Sequence, residues 1–428
     1  MSDLGPAVTK LVEISKVGKP DWAVRQAVGH VLQAFDPEDT KGAKYAVTQL
    51  GGAIKTAAPG LAQQVMLLAI GALVESGAPP ELAFPFVRDG LVDMLKTSAR
   101  FGDRCMEITD TPLVPDAIHQ VKHILGKKHP KELAAWEQLP SRCLAAVACL
   151  SRSPKLRKQE REKADLIEAA EPFYELVEEV TFLSQIARVL DENQKLLVIH
   201  PETRRGWRFT FSDITTILEL YVLILDQIVG DPSKGLLKAA KPNPRAVRLL
   251  TDPDYEVKNP PEVNVPFHTL QWTALLPDGT FRDPKTDKHS HHWVWLEGLP
   301  LEIAPFENER VILMVPPVMK RTAVVEPAFS ALSPSLKLTA KLSQADVDRL
   351  IEKMTKANNA RAAKASQHEK DLTAHANRRM EHEAVANAAR AAYEEAAKAK
   401  TKKPAKGAAK KAPKAAAKKT AKKKASRR

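Results

Sequence analysis

Three observations along the 428 residues predict an α+β fold. In roughly the first 190 residues apolar side chains recur every three or four positions, then come short β-rich runs around one very apolar helix, and last a proline-free segment gives way to lysine and alanine. With 44% hydrophobic and 27% charged residues, the chain can build a sizeable core. The expected parts are an α-helical domain over 1–192, a bundle or an irregular helical array, and a mixed α/β domain with a β-hairpin over 193–342. A long, mostly solvated helix over 343–397 and a disordered basic tail over 398–428 follow.

In the helical part, AVRQAVGHVLQAF places Val24, Ala27, Val28, Val31, Leu32 and Phe35 on one stripe, entered by Asp21 after Pro20. The same spacing returns in ELAFPFVRDGLVDMLKTSARF and KELAAWEQLPSRCLAAVACL. No fixed period long enough for a solenoid recurs. The longest apolar run, VMLLAIGALV, is about half of a bilayer span. MSDLGPAVTK carries neither a basic nor an apolar leader, so no secretory signal and no membrane partner are expected. Cys105, Cys143 and Cys149 form no C-x-x-C pair. Buried thiols in a reducing, intracellular and cytoplasmic setting are the expectation.

After Asp191 the pattern changes. LLVIH and WRFTF, joined by PETRRG, read as a hairpin. ITTILELYVLILDQIV is apolar almost all round, the mark of a helix buried on most sides. HTLQWTALL, HHWVWLE and RVILMV read as further β-like runs. Ser343 and Asp346 suggest a helix start, and Val347, Leu350, Ile351 and Met354 make a stripe that thins to alanine. A coiled coil is conceivable there, but the heptad does not persist. A protease-resistant core is expected to end near Leu342.

Catalytic signatures are absent from the sequence. KHSHHW offers His289, His291 and His292 as candidate metal ligands; as a strand it would put His289 and His291 on one face and His292 on the other, with His268 as a third donor to the pair, and the alternative is a polar loop. His119 and His123 share a helix face, but Gln120 stands where a zinc peptidase carries its glutamate. GDPSKGLLK has the glycine spacing of a phosphate loop, yet Leu236 and Leu237 replace the required Lys and Ser or Thr. In RRGWRF, Arg204, Arg205, Trp207, Arg208 and Phe209 interleave cations with rings as single-strand binders do. A hairpin with its rings inward and its arginines outward gives the same letters. No cofactor is expected.

The charge is concentrated at the end. Thirteen lysines and two arginines without a single acid between 398 and 428 give +15, whereas the other 50 basic and 52 acidic side chains give −2. Alanine is the only apolar side chain from Thr401 onward, so this stretch has almost nothing to bury. Lys402, Lys403, Lys406, Lys410, Lys411, Lys414, Lys418, Lys419, Lys422, Lys423, Lys424, Arg427 and Arg428 are the candidate nucleic-acid contacts. The PAK, APK, AAKK and TAKKK elements resemble the Lys/Ala/Pro-rich tails of linker histones and of some bacterial histone-like proteins. The resemblance is compositional and implies sequence-independent binding of DNA or RNA at the phosphate backbone. LLVIHPETRRGWRF and HHWVWLEGLP resemble segments of uncharacterised bacterial proteins, which brings no activity with it. The expected function is therefore a non-enzymatic, nucleoid- or chromatin-associated binding or scaffold protein whose body docks a protein partner. The alternative is an enzyme, metal-assisted through KHSHHW, that the tail holds near nucleic acid.

Overall fold

Helix formation in the first half follows the apolar spacing closely. The computed structural model describes residues 3–17, 21–57, 60–109, 115–173, 176–191, 193–286 and 290–364. All of them belong to one compact unit, 1–376, and the second unit, 377–428, lies outside the described residues. The fold is α+β.

Among the described residues eleven α-helices precede the sheet: α1 (Leu4–Val17), α2 (Asp21–Ala34), α3 (Thr40–Thr56), α4 (Leu61–Glu75), α5 (Pro80–Arg88), α6 (Leu91–Thr109), α7 (Pro115–Lys128), α8 (Pro130–Arg152), α9 (Pro154–Lys163), α10 (Asp165–Ala170) and α11 (Glu178–Arg188). The long α8 is the hub, packing against α4, α5, α6, α7, α9 and α11. Its Cys143, Ala146 and Leu150 share a core with Leu67, Ile70 and Leu73 of α4. The run ELAFPFVRDGLVDMLKTSARF forms the two helices α5 and α6. Gly90 takes a left-handed φ of 73° between α5 and α6, a conformation that ends a helix and suits glycine. No helix among the described residues is long and apolar enough to cross a membrane.

The strands are β1 (Gln194–His200), β2 (Arg205–Ser212), β3 (Glu262–Asn264), β4 (His268–Gln271), β5 (Pro305–Phe306), β6 (Glu309–Val315), β7 (Thr322–Val324) and β8 (Ser335–Lys341). They form a six-stranded mixed sheet in the order β4-β6-β1-β2-β8, with β5 on β6, and a separate β3-β7 ribbon. β1 and β6 run parallel, while the β1-β2 hairpin and the other pairs are antiparallel. HHWVWLE departs from expectation: Ser290–His292 is a short 3₁₀ turn, and only Trp293 bridges to Leu270 of β4.

Strand alternation divides the apolar side chains between two cores. Leu196, Val198, Ile312 and Met314 pack with Leu220 and Ile224 of α12 (Ile217–Ile228). A capping box between Thr216 and Glu219 starts that helix, which is buried on most sides. Leu197, Ile199, Val311, Leu313 and Val315 form the opposite face. Past α13 (Pro244–Thr251), the final helix α14 (Gln344–Lys364) covers that face with Val347, Ile351 and Met354.

The packed chain therefore continues beyond Leu342, where the sequence pattern places the end of the core. Asn358 Nδ2 donates to Thr273 O at 3.0 Å and Leu275 O at 2.7 Å, tying down the fourth turn of α14. Ser343 Oγ accepts from Asp346 N, as the capping pattern predicts. Whatever follows Lys364 lies outside the described residues, including the coiled-coil expectation.

Gly206 of β2 sets how closely α14 approaches. A Cβ there would stand 2.9 Å from Val347 Cγ2 and 3.1 Å from Leu342 Cδ1. Gly206→Ala should lower stability by about 1–3 kcal/mol through overpacking, read as an earlier midpoint in urea denaturation. A midpoint equal to that of the unaltered chain would show that the helix yields without cost.

Two features join the helical layer to the sheet. Phe329 and Leu332, from the segment after β7, enter the helical core, where Phe329 meets Phe182 edge-on at 6.0 Å. Arg157 of α9, 1% exposed, donates Nε to Asp191 at 2.5 Å and Nη2 to Asp213 at 2.6 Å. Its Nη1 caps the Leu150 and Ser151 carbonyls at the end of α8. Asp191 also pairs with Arg161 at 2.6 Å. On the β8 side of the sheet, the Gln227 amide of α12 donates to Leu336 O and accepts from Leu338 N.

Candidate functional site

The sequence candidates separate clearly in space. In RRGWRF, Trp207 and Phe209 are buried in the core beneath α12, as an inward-facing hairpin requires. Arg204 pairs with Asp348, Arg208 with Glu309, and Arg205 donates to the Leu236 and Pro232 carbonyls. These cations serve the fold. The GDPSKGLLK loop is a 3₁₀ turn, Pro232–Lys234, closed by Gly235 at φ 77° and by Gly230 N donating to Leu237 O. Its geometry is that of a turn.

His119 and His123 lie four apart on α7. His291 is exposed, and His292 is buried with Nδ1 3.2 Å from Thr273 Oγ1. Among the described residues no three His, Cys, Asp or Glu side chains come together as a metal-holding group. His289 lies outside the described residues, as does every candidate contact from Lys402 to Arg428. All three cysteines are buried, and burial pushes the Cys105 thiol up to about 11 and the Cys149 thiol up to about 12.

A cleft of about 810 Å³ lies in the helical layer beside Arg88, Lys55 and Lys163. Most of its charges are paired within the fold, Arg88 with Glu160 and Asp165, Lys55 with Asp89, and Lys163 with Glu160, and the exposed Lys155 also lines it. A smaller cleft of about 390 Å³ has a different character. Its walls are Phe267, His268, Trp293, Trp295, Pro317 and Met319, with Arg321 and Glu297 paired at the rim.

The backbone fixes these rings in place. Val294 N donates to Thr269 O at 3.0 Å, and Thr269 Oγ1 donates back to Val294 O at 2.7 Å. Two amides at the start of α12 bond the same segment, Leu218 N to Leu296 O and Ile217 N to Gly298 O. Trp293 and Trp295, two positions apart, therefore lie together, with ring centroids 4.8 Å apart at 40°. His268 stands edge-on to Trp293 at 4.5 Å. Trp295 is 45% exposed and Met319 65% exposed, so the cleft presents apolar surface to water. In the sequence HHWVWLE reads only as a β-like run, so the exposure of its two tryptophans is not legible there.

His268 Nε2 and Trp293 Nε1 are shielded from solvent without a hydrogen-bond partner among the described residues. Each such group costs about 1–3 kcal/mol, a cost that a ligand with matching groups would offset. Burial, and then Arg321, lowers the His268 pKa; burial also lowers that of His200, whose Nδ1 accepts from Thr203 N. Both rings are thus held neutral, and the cleft offers stacking faces and a guanidinium rather than a nucleophile.

A lowered histidine pKa gives stability that is complete above the ordinary value of 6.5 and lost as pH falls through it toward the folded value. Thermal midpoints should drop as pH falls below 6.5, with a slope of up to about 1.4 kcal/mol per pH unit for each ring. His200→Asn, which keeps an acceptor near the Thr203 amide, should flatten the slope. An unchanged profile would assign the pH dependence to other groups.

No protein-family model, no curated protein and no solved structure matches this chain, so its functional reading rests on the residues and geometry described above.

Proposed function

We propose that this chain is a non-enzymatic, nucleic-acid-associated protein that holds DNA or RNA through its lysine-rich C-terminal segment, while the folded body docks a protein partner. One observation carries the reading: a near-neutral body of −2 followed by 31 residues of +15. Lysines spaced by alanine neutralise phosphates and release condensed counterions, but present no planar fork to base edges. Binding is then sequence-independent, and the protein belongs with the nucleoid or chromatin. The internal pairing of the Arg204, Arg205 and Arg208 side chains supports this division of labour.

Salt dependence tests it. With roughly 8–10 cations engaged, log affinity for duplex DNA should fall against log salt with a slope of about −7 to −9, on the order of ten-thousandfold between 50 and 200 mM. Scrambling residues 401–428 at constant composition should change little. Replacing their lysines by glutamine should abolish binding. Full affinity in the glutamine variant would sink the reading.

A further inference from the structure

We propose that the Trp293–Trp295 cleft is a nucleotide-binding site, in which an unpaired base stacks on Trp295 and its phosphate turns to Arg321 and Lys320. The proposal deepens the polyanion reading by adding a base contact, and it rests on that reading for its biological partner.

The cleft's size, rings and charge point the same way. At about 390 Å³ it is at the small end of ligand pockets, suited to one compact planar group. Trp295 and Met319 are exposed at its mouth, although a monomeric surface gains nothing from showing a large ring and a thioether together. Every base has a π-face, so an exposed indole on a fixed backbone is a stacking platform that tolerates any base. The backbone hydrogen bonds from β4 and α12 hold that platform before a ligand arrives.

Charge selects among planar ligands. Arg321 lines the cleft and the exposed Lys320 precedes it, against the single carboxylate of Glu297. An uncharged ring would use the stacking faces alone, whereas an anionic planar ligand also engages the Arg321 N–H groups that the Glu297 pair leaves over. A guanidinium has five N–H groups, so Arg321 can keep Glu297 and still donate to phosphate. Strand addition by a peptide is disfavoured here, because Val294 N, Leu296 O and Gly298 O are already bonded within the fold. The unpartnered His268 Nε2 and Trp293 Nε1 give the inner wall a capacity to meet a base edge.

The experiment uses the full chain carrying Trp22→Phe, which removes another strongly exposed indole, and reads tryptophan fluorescence and anisotropy. Four probes separate the sources: thymidine, thymidine monophosphate, an oligothymidylate of about eight nucleotides, and a blunt DNA duplex. Thymidine monophosphate should quench the fluorescence. Trp295→Ala should weaken oligothymidylate binding about 5- to 100-fold and leave duplex affinity unchanged, while Trp295→Phe restores most of the loss. Arg321→Gln, which spares the rings, should weaken the monophosphate but not thymidine. The proposal is overturned if the monophosphate causes no quenching, or if Trp295→Ala and Arg321→Gln bind both single-stranded probes like the parent. The glutamine-for-lysine variant of residues 401–428 separates the two readings. If it still binds duplex, the function proposed above fails; quenching by the monophosphate in that variant upholds the cleft on its own.

Discussion

A chain ending at Leu342 should fail to fold, whereas one ending at Lys364 should fold and resist protease. The reason is the second face of the sheet. Leu197, Ile199, Val311, Leu313 and Val315 are each buried, and α14 covers them together with the turn that carries Trp272, Ala274 and Leu275. Val347, Ile351 and Met354 are at most 3% exposed. Burying each of these three side chains contributes about 1.5–3 kcal/mol, so losing all three removes roughly 5–9 kcal/mol. Whole domains are stable by only about 5–15 kcal/mol. Ile351→Asp in the full chain is the matching point test, since it puts a charge against the same face. Circular dichroism of the two truncations decides: a cooperative melt for the chain ending at Leu342, close to that of the longer one, would show that α14 is dispensable.

Arg157→Ala should be the most damaging single substitution in the helical layer, costing about 3–5 kcal/mol. It strands Asp213, which would lose the guanidinium facing it, and leaves Asp191 with Arg161 alone. Burial followed by the like charge of Asp191 already raises the Asp213 pKa against the pull of Arg157, so this carboxylate depends on its partner. The Leu150 and Ser151 carbonyls lose their donor as well. Arg157→Lys should recover little, because one ammonium cannot reach two carboxylates and two carbonyls in a fixed fork. Equilibrium denaturation in guanidinium is the measurement; a loss under about 1 kcal/mol would mean that water replaces the guanidinium easily.

Sequence periodicity reveals elements better than it reveals which element meets which. The α2 stripe, the β1-β2 hairpin with its inward rings and the buried α12 are legible because each pattern is local. The role of α14 is not. Four apolar residues followed by alanines look like a weak anchor until β1 and β6 are seen to need a cover on both faces. Phe329 and Leu332 give no signal either, since nothing in a short loop sequence says that it returns to a core built more than a hundred residues earlier. The aromatic cleft is half-legible: Trp293 and Trp295 stand out, but Met319 and Arg321 join them only through the β3-β7 ribbon. Arg157 reads as one more cation in the polar run PKLRKQEREK, though it is only 1% exposed.

The Gln227 side chain on β8 has a consequence for how copies of this chain meet at high concentration. An outermost strand normally exposes a row of amides and carbonyls that a second molecule can extend, the first step toward cross-β aggregation. Here Leu336 O and Leu338 N are already occupied by an amide from the same chain. Thr339 reaches back to Arg208 O where the β2-β8 register shifts, and Lys337 and Lys341 project outward. One glutamine, one register shift and two lysines thus keep concentrated copies of this chain from fusing strand to strand.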